Sequence, residues 1–313
     1  MTYVYLKSNL KKIRSIIGDR TLFVIGHQIP DVDSYVSSLL LSNLLNKEGI
    51  NAVPTLLIDY NLIDSIDKSI IEKINCGRIL KHVITDNDYV FLVDHNDPFE
   101  SYKNIHPQKV LGIVDHHEDN HIDGLLKIVK PSGSTSKLIF EMYNTLGYTM
   151  TYDEEVQVLY SLLIDTCGLT VNRGGSDEEV LARKLSKKLN LDLLRCKKES
   201  IFETDLEKPM EELQMNFYKE YKINGKRIAS SGIEFFGDRP QINERVKNIT
   251  HYMKSKKSRF GQCYCHVFIH RDFYNKRTTA YYILDEHTHE VAYPYIASRG
   301  STILPDFKKW LCL

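Results

Sequence analysis

No apolar run in this chain approaches the roughly 18 residues that a membrane-spanning helix requires. The opening Met1-Thr2-Tyr3-Val4-Tyr5-Leu6-Lys7 lacks the long apolar core of a secretory signal, so the expected residence is cytoplasmic and no membrane partner is expected. Neither charge is in excess. Lysine plus arginine and aspartate plus glutamate each number 41, which removes the global electrostatic argument for nucleic acid and leaves partners to be read from local sites. The six cysteines (Cys76, Cys167, Cys196, Cys263, Cys265, Cys312) include no C-x-x-C pair, so reduced thiols are expected in place of a disulfide frame or a thiolate zinc site. Internal repeats and low-complexity segments are absent too.

What the chain does contain is a recurring pattern of apolar runs of strand length that stop abruptly in Asp and His. Leu22-Phe23-Val24-Ile25-Gly26 runs into His27-Gln28-Ile29-Pro30-Asp31-Val32-Asp33, Tyr89 to Val93 into Asp94-His95-Asn96, and Val110 to Val114 into Asp115-His116-His117. Continuous branched apolar runs are the mark of buried parallel strands, and ligands in open α/β sheets gather beyond the carboxyl ends of such strands. A fourth acid, Asp165, closes the apolar helical run from Val156 to Ile164, where a buried charge needs a partner.

With 313 residues and 42 % hydrophobic content, the chain can fill two cores. Residues 3–17 have the pattern of an amphipathic helix, and the spacing of Tyr35, Val36, Leu39, Leu40, Leu44 and Leu45 predicts another, capped by Asp33 or Ser34. Strands at 52–58 and 126–129 complete an alternation with helices. The fold class is therefore α/β, with an N-terminal doubly wound, mainly parallel sheet over residues 1–198. A polar stretch, 199–209, reads as a linker. Residues 210–313 read as a smaller C-terminal mixed α/β domain, with a helix over 210–221, strands at 227–236, 262–270 and 278–284, and a helix over 246–253. His266, His270, His287 and His289 read as surface residues, and Lys254 to Arg259 as a solvated basic run.

Carboxylate and imidazole donors together suit manganese and its neighbours better than calcium. His27, Asp31, Asp33, Asp94, His116 and Asp165 suffice for two ions, although Asp31, Asp33, Asp94 and Asp165 taken singly could each serve as a local cap. Four acids in one pocket repel unless cations intervene. Two ions can polarise a phosphoryl oxygen and activate water, so hydrolysis of a phosphate ester or anhydride is the natural reaction.

Gly26 to Ser34, Val93 to Asn96, Val114 to His117 and Ile164-Asp165-Thr166 resemble the four ordered motifs of the DHH phosphoesterases. More narrowly they resemble the branch holding manganese-dependent (family II) inorganic pyrophosphatases, yeast-type exopolyphosphatases and prune proteins. The resemblance implies one ion held by His27, Asp31 and Asp94 and a second by Asp33, Asp94, His116 and Asp165, with Asp94 shared and catalytic. It implies manganese first, with magnesium or cobalt as alternatives. His117 would face the substrate phosphate, while His95 and Asp115 would orient the ligands from behind. Lys219, from Tyr218-Lys219-Glu220-Tyr221, and Arg299, from Ala297-Ser298-Arg299-Gly300, would supply catalytic and substrate-binding cations, brought over the phosphates by closure of the second domain.

The implied activity is hydrolysis of inorganic pyrophosphate by a homodimer, with end-cleavage of polyphosphate a close second. His27 matches the pyrophosphatases, since the exopolyphosphatase branch places asparagine there. Asp165 to Leu169 and the Gly133-Ser134-Thr135 turn resemble the exopolyphosphatase and prune side as well. Gly300 stands where the pyrophosphatases carry lysine, and Ile29 replaces a frequent asparagine. A phosphodiesterase of oligonucleotides or cyclic dinucleotides would resemble this chain less, because no Gly-Gly-His segment lies near the C-terminus. A binding module that lost turnover is the remaining alternative.

Overall fold

Four short strands and one of six residues carry the N-terminal half of the computed structural model: β1 (Leu22–Ile25), β2 (Ala52–Thr55), β3 (Tyr89–Val93), β4 (Val110–Asp115) and β5 (Leu126–Val129). The structure describes residues 2–98, 100–103, 105–120, 122–170, 177–201, 203–223, 225–236, 242–255, 263–284, 287–297 and 299–310. Ser298 and most of the basic run at 254–259 lie outside the described residues. The chain divides into two compact units, Met1–Ser200 and Ile201–Leu313.

In the first unit the strands pair in the order β2-β1-β3-β4-β5, every pair parallel. This is the doubly wound order, with a reversal between β1 and β3 that opens a crevice beyond their carboxyl ends. β3 and β4 are almost wholly buried, which accounts for their unbroken apolar sequence. Around the sheet run α1 (Tyr3–Ile17), α2 (Val32–Lys47), α3 (Ser65–Lys73), α4 (Thr135–Leu146), α5 (Tyr152–Asp165), α6 (Asp177–Leu189) and α7 (Leu193–Ser200).

Two of these helices position the acids. α2 is buried on nearly every side, as a helix apolar all round must be. Its N-cap is Asp31, not Asp33 or Ser34: Asp31 has extended backbone and its Oδ1 accepts the Ser34 N–H at 3.0 Å. Asp33 is drawn instead toward the start of α4. α5 begins in a reciprocal cap between Thr151 and Glu154 and buries Val158, Leu159, Leu162 and Leu163 completely. Truncating Leu163 to alanine would cost about 2–5 kcal/mol, and would loosen the rod that presents Asp165.

The second unit is a mixed sheet in the order β10-β9-β8-β7-β6, built from β6 (Lys219–Ile223), β7 (Lys226–Phe235), β8 (Cys265–Asp272), β9 (Arg277–Leu284) and β10 (His287–Tyr293). Only β7 and β8 pair in parallel, joined through α9 (Ile242–Ser255). Val246 and Ile249 of α9 pack with Ile233 and Phe268 against one face. On the other, Leu304 and Phe307 of α10 (Leu304–Trp310) meet Ile228, Val267 and Tyr282. The helix α8 covers only Met210–Leu213, so the expected helix over 210–221 is corrected. Phe217 turns the chain through a positive φ of 54°, and Lys219 onward is strand, held by antiparallel pairing to β7. β10 was not foreseen, because this edge strand is largely exposed and has no apolar alternation. His266 and His270 are buried, at 5 % and 9 % exposure, and are not surface residues.

Candidate metal centre

His27, Asp94 and His116 follow β1, β3 and β4 at the reversal in strand order, and their side chains meet there. Asp94 is the hinge. Its backbone N–H still bonds to Val114 O at 3.0 Å, yet its φ of +59° turns the chain out of the strand. Left-handed backbone costs roughly 1–3 kcal/mol at a non-glycine residue and clusters at functional sites. The carboxylate so placed is buried, with Oδ1 3.3 Å from His116 Nε2 and Oδ2 3.5 Å from His27 Nε2.

Around this pivot three groups of donors form, each with its ligand atoms within 4.8 Å of one another: His27, Asp31 and Asp94; Asp33, Asp94, His116 and Asp165; and Asp94, His116 and His117. His27 Nε2 lies 3.6 Å from Asp31 Oδ2, the oxygen left over when Oδ1 caps α2. Asp31 thus combines the capping role with a place in the cluster. His116 Nε2 lies 3.4 Å from Asp165 Oδ2, while its Nδ1 donates to Ser132 O at 3.0 Å, which leaves Nε2 facing the acids. Gly26 permits the β1 exit, since a Cβ there would lie 1.9 Å from Ser34 Oγ, the atom that accepts the His27 N–H.

The cluster is an electrostatic problem. Burial and then the neighbouring Asp94 push Asp33 up to about 6. Burial and then Asp33 raise Asp165 far above the carboxylate range. Burial alone would raise Asp94 as well, but hydrogen bonds from His116 and His27 hold it well below its ordinary value. Burial opposes charge on His116, yet Asp94 and Asp165 lift it to about 10. Cations would relieve this repulsion, and a set of four carboxylates with imidazoles suits a divalent ion of the manganese type. The donors are positioned to hold metal ions.

Several neighbours were not anticipated. The N-terminus of α4 reaches Asp33: Thr135 N donates to Oδ2 at 2.7 Å and Ser136 N to Oδ1 at 3.0 Å, and Ser161 Oγ also donates to Oδ1. Thr135 Oγ1 donates to Asp94 Oδ1 at 3.0 Å. Asn96 Nδ2 donates to Asp115 Oδ2, and Asn96 Oδ1 accepts the Asn120 N–H, which fastens the loop after His117. The Gly133-Ser134-Thr135 turn stood out in the sequence, and Asn96 closed one of the four motifs without a role of its own, whereas Ser161 carried no signal.

His117 is half exposed, and its Nδ1 lies 2.8 Å from Asp115 Oδ1. Asp115 is fully buried and touches Asn96 and His117, and lies outside all three donor groups. His95 is buried, with Nδ1 donating to Val93 O and Nε2 accepting from Ser101 Oγ, and burial lowers it to about 4, so it is neutral.

The model of the DHH family N-terminal domain matches residues 21–164, the span holding five of the six candidate ligands. A "Probable manganese-dependent inorganic pyrophosphatase" of Lactobacillus helveticus is 30 % identical over 234 residues, covering 71 % of this chain and 73 % of that one. The chain belongs to the DHH family. Within it, the relatives are manganese-dependent inorganic pyrophosphatases; that of Methanothrix thermoacetophila is 25 % identical over 226 residues, 68 % of this chain and 70 % of its own. A solved structure, "Crystal structure of Methanococcus jannaschii putative family II inorganic pyrophosphatase", shares the fold, with a TM-score of 0.68 at 20 % identity over 92 % of this chain and 98 % of that one.

The remaining DHH-family candidates lie in the second unit. Lys219 is exposed at the start of β6, and Tyr221, two residues on and so on the same face of the strand, adjoins Arg299. Burial, with Arg271 adding to it, pulls the Arg299 guanidinium below the usual arginine range; its Nη1 has no partner among the described residues. No helix among the described residues is long and apolar enough to cross a membrane.

Proposed function

We propose that this chain hydrolyses inorganic pyrophosphate at a centre of two divalent cations, manganese for preference. The observation that carries the reading is the place of Asp94 in every donor group, on the side of His27 and Asp31 as well as that of Asp33, His116 and Asp165, which lets one carboxylate serve two ions. In this reading His27, Asp31 and Asp94 hold one cation, and Asp33, Asp94, His116 and Asp165 the other. Bound there, divalent cations polarise phosphoryl oxygens and make water a nucleophile near neutral pH.

The chain's own groups do the rest. Ser132 O and the amides of Thr135 and Ser136 orient His116 and Asp33. Asp115 holds Nδ1 of His117, so Nε2 is the nitrogen left to present a proton to a phosphate oxygen. Lys219 and Arg299 supply charge to the outer phosphate, Arg299 with an unused buried donor. The division of labour follows: residues 1–198 carry the metal chemistry and residues 210–313 the substrate cations, in a cytoplasmic homodimer that needs no nucleic acid.

A second reading, cleavage of terminal phosphate from polyphosphate, is favoured by Gly300, which offers no side chain where the pyrophosphatases it resembles carry lysine. Phosphate release from pyrophosphate, tripolyphosphate, long polyphosphate and a dinucleotide, each with manganese or magnesium, separates these. Fastest turnover of pyrophosphate supports the first reading. Preference for the longer chains supports the second, and no release from any of them points to a binding module.

A further inference from the structure

The turn Ser132 to Ser136 makes four contacts with the candidate ligands, and something must hold it. Ser132 O accepts from His116, Thr135 and Ser136 give their N–H groups to Asp33, and Thr135 Oγ1 bonds to Asp94. From α6, Glu178 reaches back more than forty residues to this turn: its Oε1 accepts the Gly133 N–H at 3.0 Å and lies 3.3 Å from Lys137 Nζ, in the first turn of α4. Both side chains are buried, at 3 % and 7 % exposure. Gly133 is pressed against the same group, since a Cβ there would lie 2.4 Å from Glu178 Cγ and 2.6 Å from Leu162 Cδ1.

This pair is an expensive way to gain stability alone. Glu178 Oε2 has no hydrogen-bond partner among the described residues, and an unsatisfied buried carboxylate oxygen is a net cost to folding. Its other oxygen, however, sits one residue from Ser132 and two from Thr135, at the pivot of every contact the turn makes with Asp33 and His116. Three of the four contacts fall on Asp33 and His116, and the fourth on Asp94, which the donor groups share. Neither His27 nor Asp31 touches the turn through any of them.

We infer that Glu178, with Lys137, is a positioning residue for one of the two cations: through Gly133 it fixes the turn that orients Asp33 and His116, and so sets the affinity of the ion they share with Asp165. This rests on the two-cation reading above. Outer partners of metal ligands commonly govern affinity in this way.

The test is titration of metal-free protein with Mn2+, followed by calorimetry and by the electron paramagnetic resonance of free Mn2+, with Asp165→Asn identifying which binding step belongs to this ion. Glu178→Ala is expected to weaken that step about tenfold to a hundredfold and to leave the other step near the parent value. Glu178→Gln, which keeps an acceptor for the Gly133 N–H, should restore most of the loss. Glu178→Asp, with the carboxylate drawn back by one methylene, is expected to weaken the same step and reads it even if Glu178→Ala does not fold. Equal weakening of both steps, or of neither, would overturn the assignment. Asp94→Asn is the control for the underlying reading: if it leaves both steps intact, the two-cation centre itself is wrong.

Discussion

Asp115 Oδ1 accepts from His117 twice, from the backbone N–H at 3.1 Å and from ring Nδ1 at 2.8 Å, so a fully buried carboxylate fixes the tautomer of a half-exposed imidazole. Burial would lower the His117 pKa, but the Asp115 bond and then the Asp94 charge raise it above its ordinary value. The imidazolium, with its second proton on Nε2, is therefore favoured relative to a free histidine. Replacing His117 with alanine is expected to cost about a hundredfold or more in kcat, the scale of a lost proton donor. Asp115→Asn should cost less and lower the His117 pKa, so the alkaline limb of the pH–rate profile moves to lower pH. An unmoved limb would separate His117 from Asp115.

Asp94→Asn tests the shared ligand without disturbing the backbone, because asparagine tolerates a φ of +59° as well as aspartate does. The expected loss of turnover exceeds about a hundredfold, above the range for residues that only support ligands. The circular dichroism spectrum should be unchanged. Near-normal turnover would remove Asp94 from the bridge.

Arg299→Ala should act mainly on KM. Its buried guanidinium has an unused Nη1, and a hydrogen bond to a charged group is worth about 1.5–3 kcal/mol, or roughly tenfold to a hundredfold in KM. Steady-state kinetics on pyrophosphate check this. A fall in kcat at constant KM would place Arg299 in the transition state only.

His270 predicts how the second unit responds to acid. It is buried and stacked on Phe235, ring centroids 5.1 Å apart, and burial lowers its pKa to about 4. A folded pKa below the unfolded value of about 6.5 means a contribution fully present above pH 6.5 and lost as pH falls toward 4. The difference amounts to about 3 kcal/mol at most. His270→Phe should flatten the pH dependence of unfolding across that window. The only tryptophan, Trp310, lies in α10 and reports on this unit by fluorescence.

Much of the first unit was legible because burial writes itself into sequence. β3 and β4 are buried on both faces, so their apolar runs mark the strands and the first polar residue marks the sheet edge. The convergence of Asp33 with Asp165 was legible only as a sum of such endings. The amides of Thr135 and Ser136 carry no side-chain signature, and Ser161 looks like any small polar residue in a buried helix. In the second unit, the spacing around Lys219 suits a helix as well as a strand, because a polar segment with scattered tyrosines fits either period. The antiparallel register with β7 and the Glu220–Arg227 ion pair decide for strand, and neither is expressed in the spacing of apolar residues. β10 escaped for the opposite reason: an exposed edge has no hydrophobic face to show.

The most direct test of the shared centre is an anomalous-difference map from crystals grown with Mn2+. Two peaks flanking the Asp94 carboxylate, about 3.5–4 Å apart as in two-metal hydrolases, with His27 and Asp31 beside one and Asp33, His116 and Asp165 beside the other, are the expected result. A single peak, or two peaks that do not share Asp94, would contradict it.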